Sequence, residues 1–152
     1  MKTKDFVIIS FACLLQLACG KTSVKKIIDN GSYRYWRKST TEIYDYLYYF
    51  EDDGKWTIFE GYSKEPFTKY TDLEEYDGGD YMLTKTWRLE NDSIIYINGS
   101  MDFHVTILYD TIMLLKCEFR TDTLYAVPRK RIPEKFRRKY DFNNKKRNFI
   151  IG

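Results

Sequence analysis

Residues able to do chemistry are few in this chain and scattered along it. The densest group is acidic: Asp72, Glu74, Glu75, Asp77 and Asp80 surround Gly78-Gly79. Carboxylates beside a flexible turn are the hard oxygen donors that calcium takes. The regular ligand spacing of a calcium loop is missing, however, so the stretch 72–80 reads as one long solvated loop. His104 is the only histidine, and it alternates with Phe103, Val105 and Ile107, which turns it to the opposite side of that strand. A lone imidazole without carboxylate or cysteine partners at ligand spacing does not build a zinc site. Paired carboxylates can hydrolyse glycosides, but nothing singles out a pair among the 22 Asp and Glu. No nucleophile elbow, glycine-rich phosphate loop or metal-binding histidine pair occurs. The expectation is a protein that is not an enzyme, with no metal and no cofactor.

The three cysteines have separate fates. Lys2 and Lys4 precede a mostly apolar run of 13 residues, Phe6 to Ala18, which ends at Cys19. That order of charge, apolar stretch and small residue is a secretory signal. The run is shorter than the roughly 20 apolar residues a membrane-spanning helix needs. The segment resembles a bacterial lipoprotein signal, in which a small residue directly precedes the acylated cysteine. Ala18 fits, whereas Gln16 stands where leucine is usual, with Leu15 and Leu17 beside it. An ordinary signal peptide cut near Ala18 or Gly20 would leave Cys19 a free thiol. The reading adopted is a signal peptide over 1–18 and lipidation of Cys19, with 19–30 as anchor and short helix. A multiply acylated cysteine holds a protein on a membrane almost permanently, since each buried methylene contributes about 0.8 kcal/mol. Cys13 leaves with the leader. Cys117, in the apolar run IMLLKCEF, then stands alone as a buried thiol, and no disulfide framework is possible.

Charge is distributed unevenly. Residues 129–147 hold ten Lys and Arg against Glu134 and Asp141, a local net of +8 in a chain whose net is +3, so the remainder carries −5. Arg129, Lys130, Arg131, Lys135, Arg137, Arg138 and Lys139 are the candidate basic surface of a C-terminal tail, 129–152. For an exported protein the partner expected there is an envelope protein or anionic lipid, not nucleic acid.

Between these ends, 31–128 reads as a β domain. EIYDYLYYF alternates Tyr44, Tyr46, Tyr48 and Phe50 on one face, and Asp52-Asp53-Gly54 turns it into KWTIFEGY. YMLTKTWRL, SIIYI, FHVTILY, TIMLLKCEF and TLYAV follow, with turns expected at Asn91-Asp92, Asn98-Gly99, Tyr109-Asp110 and Thr121-Asp122. About eight antiparallel strands at this spacing predict a sandwich or an up-and-down barrel. Two short helices flank them: SVKKIID (23–29), stopped by Asn30-Gly31, and basic PEKFRRKY (133–140), which spaces Ile132, Phe136 and Tyr140 four apart.

YYFEDDGKWTI, TKTWRLENDSIIYING, FHVTILYDTIMLLKC and RTDTLYAVPR together resemble the small lipocalin-like lipoproteins of Bacteroidetes. The resemblance covers roughly residues 30–128 and consists of turn and core patterns. It implies an all-β, eight-stranded lipocalin-like barrel whose interior holds a small, often apolar molecule, and it supplies no catalytic residues. Tyr44, Tyr46, Tyr48, Trp56, Trp87, Tyr96 and Phe103 are the candidate lining. The same rings equally suit a filled core, because a barrel of this size either packs its interior or encloses one ligand. Lipoproteins displayed on the outer surface of Bacteroidetes usually carry an acidic patch soon after the cysteine. Lys21, Lys25 and Lys26 stand here instead, so the expected location is the outer membrane, facing the periplasm. The chain is expected to be a lipid-anchored monomer that binds a lipid or glycan fragment in its barrel. The alternative is an envelope scaffold that docks through its basic tail.

Overall fold

The computed structural model describes residues 22–38, 45–62, 68–76, 85–99 and 101–140. Cys19, Tyr44, Asp77 and Asp80 lie outside these. Helix α1 is Val24–Asp29. Its six residues are too few to persist alone, and both ends are capped. Ser23 Oγ accepts from Lys26 N, and Asn30 closes the helix in the left-handed region at φ 55°. Ile27 and Ile28 are buried against the sheet, and that contact holds the helix in place.

Nine strands follow: β1 Tyr33–Lys38, β2 Asp45–Glu51, β3 Trp56–Tyr62, β4 Asp72–Glu75, β5 Trp87–Glu90, β6 Ile94–Ile97, β7 Met101–Tyr109, β8 Ile112–Lys116 and β9 Thr121–Ala126. They form one antiparallel sheet in the order β4-β3-β2-β1-β9-β8-β7-β6-β5. Strands consecutive in the chain are neighbours except β4 and β5, which form the two edges. Among the described residues an isolated bridge, Lys55 with Thr86, links the start of β3 to the residues before β5. The sheet is therefore not continuously closed.

The turns follow from their residues. Gly54 takes φ 89° in the β2–β3 hairpin, where Lys55 N donates to Asp53 Oδ1. Asn91 and Asp92 lie at φ 50° and 53°, and Asn98-Gly99 at 54° and 77°. Asparagine, aspartate and glycine tolerate this region best.

Three elements differ from the sequence expectation. DLEE is strand β4, not loop: it pairs along Phe59–Tyr62 and buries Leu73. Thr121-Asp122 opens β9 instead of turning, and the bend falls at Glu118 and Phe119. PEKFRRKY contains no α-helix; Arg129–Arg131 and Glu134–Phe136 are two separate 3-10 turns. Pro133 separates them, and Arg137 Nε donates to Ile132 O, occupying a carbonyl that a continuing helix would need.

Both faces of the sheet are covered. One carries Trp36, Tyr48, Phe50, Trp56, Trp87, Ile95, Phe103, Met113, Leu115 and Leu124, packed with Ile27 and Ile28 of α1. The other carries Tyr35, Leu47, Tyr49, Phe59, Tyr70 and Leu73, covered by Ile132 with Phe136 and Tyr140 of the C-terminal segment. Residues 129–140 are thus part of the fold, laid across β1–β4.

Candidate functional site

The expected lining residues separate by strand parity. Tyr48, Trp56, Trp87 and Phe103 meet in the first cluster, with Tyr48 and Trp56 stacked at 6.1 Å and Phe50 edge-on to Trp87 at 5.3 Å. The indole N–H groups are satisfied inside it: Trp36 donates to Ile28 O, Trp56 to Asn98 Oδ1 and Trp87 to Glu51 O, each at 2.8 Å. Tyr46 is half-buried beside Tyr76, 5.7 Å away. Tyr96 alternates with the inward Ile95 and Ile97, and the Arg88 guanidinium lies 3.9 Å above its ring. These four rings are buried in one cluster with Ile27 and Ile28 of α1.

Two of the acidic residues, Asp72 and Glu75, are tied into the fold. Asp72 pairs with Lys135 at 2.8 Å, which holds its carboxyl below the usual range. The Glu75 side chain is buried; it accepts from Thr57 Oγ1 and from Tyr140 Oη at 2.6 Å, and pairs with Lys85. Among the described residues no three His, Cys, Asp or Glu side chains come together as a metal site. His104 is exposed on β7, and Cys117 is half-buried beside the first cluster.

A buried polar chain clasps the C-terminal segment to the sheet. Tyr49 Oη donates to Glu51 Oε1 at 2.7 Å and accepts from Tyr140 N at 2.8 Å, while Tyr35 Oη donates to Phe136 O. Burial raises the Glu51 carboxyl above its ordinary value, opposed by the Tyr49 hydrogen bond. Tyr35 and Tyr49 are pushed far up by burial as well. These hydroxyls stay protonated and act as fixed donors.

The basic residues divide in two. Arg131 is buried, its Nε donating to Thr68 O at 2.7 Å and its guanidinium 5.0 Å from the Tyr70 ring centroid. Lys135 binds Asp72, and Lys139 binds Asp52 at 2.5 Å. These three hold the segment down. Arg129, Lys130, Arg137 and Arg138 have no carboxylate partner within 4 Å among the described residues. Lys130 and Arg138 point into solvent. Arg129 and Arg137 instead wall a cleft of about 220 Å³ between the start of β1 and the exit of β9, with Ser32, Tyr33, Tyr35, Pro128 and Ile132.

Tyr33 lines this cleft, and its hydroxyl is buried, closed to water and without a hydrogen-bond partner among the described residues. Burial raises its pKa, while the charges of Arg129 and Arg137 draw it back; the Arg129 guanidinium lies 5.9 Å from the Tyr33 ring centroid, and Arg137 lines the same cleft. On the far side of Pro128 a wider, more open groove of about 670 Å³ runs past Ile112, Tyr125, Lys130 and Arg131. Tyr33 carries no signature in the sequence beyond the alternation of rings and cations in YRYWRK. Its proximity to arginines about a hundred positions away exists only in the fold. Comparison with protein-family models, curated proteins and solved structures finds no match for this chain.

Proposed function

We propose that this chain is a membrane-tethered, non-enzymatic envelope protein that docks on anionic lipid head groups through its basic C-terminal segment. Its β domain serves as the scaffold that presents that segment. The observation that carries the reading is the docked segment itself: three of its cations hold it down, and among the described residues Arg129, Lys130, Arg137 and Arg138 are left without acidic partners. The burial of Tyr48, Trp56, Trp87 and Phe103 in one packed cluster supports this reading over a ligand in the interior.

The tether makes the geometry workable. A lipidated Cys19 stands five residues before Val24, a reach of at most about 18 Å for extended chain. It would hold α1 close to the membrane. Asn30 and Ser32, which follow α1, line the same cleft as Arg129 and Arg137, so the anchored end is also the basic end. The lipocalin-like barrel belongs to this proposal as well. Its support is the Lys55–Thr86 bridge, where Trp56 N donates to Lys85 O and Trp87 N to Gly54 O, together with the resemblance of residues 30–128 to lipocalin-like lipoproteins of Bacteroidetes.

Flotation of the full chain with vesicles tests the reading. Binding should require anionic lipid and weaken with salt, as screening of exposed charge demands. Each cation near an anionic surface contributes about 1 kcal/mol, so Lys130→Gln with Arg138→Gln should weaken binding about 30-fold. Equal binding to neutral vesicles, or an unchanged affinity in the double variant, overturns it.

A further inference from the structure

Three features stand outside the account so far. Phe119 is 88% exposed at the β8–β9 bend, but nothing identifies an occupant for a single ring. The groove past Tyr125 is open and largely apolar, and it too lacks an indicated partner. The cleft at Tyr33 differs, because its chemistry specifies what it lacks.

We propose that this cleft is a binding site for one phosphoryl oxyanion, with the Tyr33 hydroxyl as donor and Arg129 and Arg137 as its cationic walls. The inference deepens the membrane-docking reading and rests on it only for the source of the phosphoryl group. The lining residues include no acid. The two guanidiniums are held in place by backbone carbonyls: Arg129 Nη2 donates to Arg137 O at 3.0 Å, and Arg137 donates to Ile132 O and Lys130 O. Each guanidinium has five N–H donors, so most remain for a ligand. Arg34 also borders the cleft, but its guanidinium turns to the other face, where it donates to Ile27 O.

Tyr33 supplies the independent observation. A buried hydroxyl without an acceptor is destabilising, and native proteins rarely keep one. An oxyanion seated between Arg129 and Arg137 would give the hydroxyl an acceptor once the Tyr33 ring turns toward the cleft. Two uncompensated guanidiniums balance a dianion, and arginine forks match phosphoryl oxygens geometrically. Donors on separate walls favour a tetrahedral oxyanion over a planar carboxylate. A volume of about 220 Å³ is below the roughly 300 Å³ where sites for larger ligands begin, so the cleft admits a head group and no acyl chain.

The test is thermal melting and calorimetric titration of the full chain in nonionic detergent with inorganic phosphate, at constant ionic strength, with chloride as control. The wild-type chain should bind phosphate saturably and melt at higher temperature with it. Tyr33→Phe should weaken phosphate binding about tenfold, and Arg129→Gln and Arg137→Gln about tenfold each. Without phosphate, Tyr33→Phe should melt no lower than wild type, because it removes only an unpartnered hydroxyl, so lost binding cannot be assigned to unfolding.

No saturable phosphate binding, or equal affinity in Tyr33→Phe, overturns the site; the second result is what a cleft holding only water would give. Phosphatidylcholine vesicles with and without phosphatidic acid identify the source. Competition of inorganic phosphate with phosphatidic-acid vesicles supports a lipid head group. Phosphate binding with vesicle affinity unaltered in Tyr33→Phe supports a free phosphate or phosphomonoester. The Lys130→Gln and Arg138→Gln pair keeps the two proposals apart, since it should impair vesicle docking and leave phosphate binding intact.

Discussion

Tyr49→Phe removes one oxygen from the centre of the clasp and leaves the rest of the ring. The phenylalanine ring would still pack on Tyr35 at 4.7 Å and Phe59 at 5.9 Å, so lost packing contributes little. Two hydrogen bonds among the described residues disappear: the donation to Glu51 Oε1 at 2.7 Å and the acceptance from Tyr140 N at 2.8 Å. Glu51 is 1% exposed and cannot turn to water. A hydrogen bond to a charged group contributes about 1.5–3 kcal/mol. Tyr140 is half-buried, so its amide can move outward, and about 1 kcal/mol or less is assigned to it. The expected loss is about 2–4 kcal/mol, or a drop of about 1–2 M in the urea midpoint.

The variant also changes the pH dependence. Glu51 is raised above its unfolded value by burial, and the Tyr49 hydrogen bond lowers it. A carboxyl with a raised folded pKa holds its proton more tightly when folded. Its contribution to stability is therefore greatest below the unfolded pKa and falls as pH climbs to the folded one. Without the Tyr49 hydroxyl the folded value rises further, so the variant's deficit should widen between pH 4 and neutrality, by about the strength of the lost bond. Urea melts at several pH values, with Glu51→Gln and the double variant, measure this coupling. A loss below about 0.5 kcal/mol, independent of pH, would refute the assignment of the clasp to this oxygen.

Other outcomes follow from single sites. Gly61→Ala should destabilise by about 1–3 kcal/mol in thermal melts, since a Cβ there would lie 2.7 Å from Leu47 Cδ1 and 2.9 Å from the Tyr70 ring. Asp72 is depressed by Lys135; its contribution is present above the unfolded pKa and lost as pH falls through the folded one. Lys135→Ala should therefore flatten the acid limb of the stability curve below about pH 4. Metabolic labelling with a fatty-acid analogue should mark the wild-type protein and not Cys19→Ser; an unlabelled wild type removes the tether.

The hairpins were legible because Asp-Gly, Asn-Asp and Asn-Gly are demanded by backbone geometry and need no tertiary information. The parity of β6 was legible too, since SIIYI sets Ile95 and Ile97 against Tyr96. Strand β2 shows the limit: Tyr48 and Phe50 alternate as expected, yet Leu47 and Tyr49 between them are buried on the opposite face. A strand covered on both sides loses its period-2 signal. β4 was hidden because Leu73 is its one apolar residue among acids. In the C-terminal segment the spacing of Ile132, Phe136 and Tyr140 was visible, but not that a 3-10 path lays them on β1–β4. The cleft depends on Tyr33 meeting Arg129 and Arg137, a juxtaposition fixed by the β1–β9 pairing, which no local pattern encodes.

On the proposed function, ligands meet the outer, C-terminal side of this protein and not its interior. Hydrogen exchange of the full chain, with and without vesicles of phosphatidylcholine and phosphatidic acid, tests it in one measurement. Added protection at residues 30–35 and 127–138 is predicted, with strands β6–β8 unchanged. Protection in β6–β8 with no change at 127–138 would contradict it and return the binding site to the first face of the sheet.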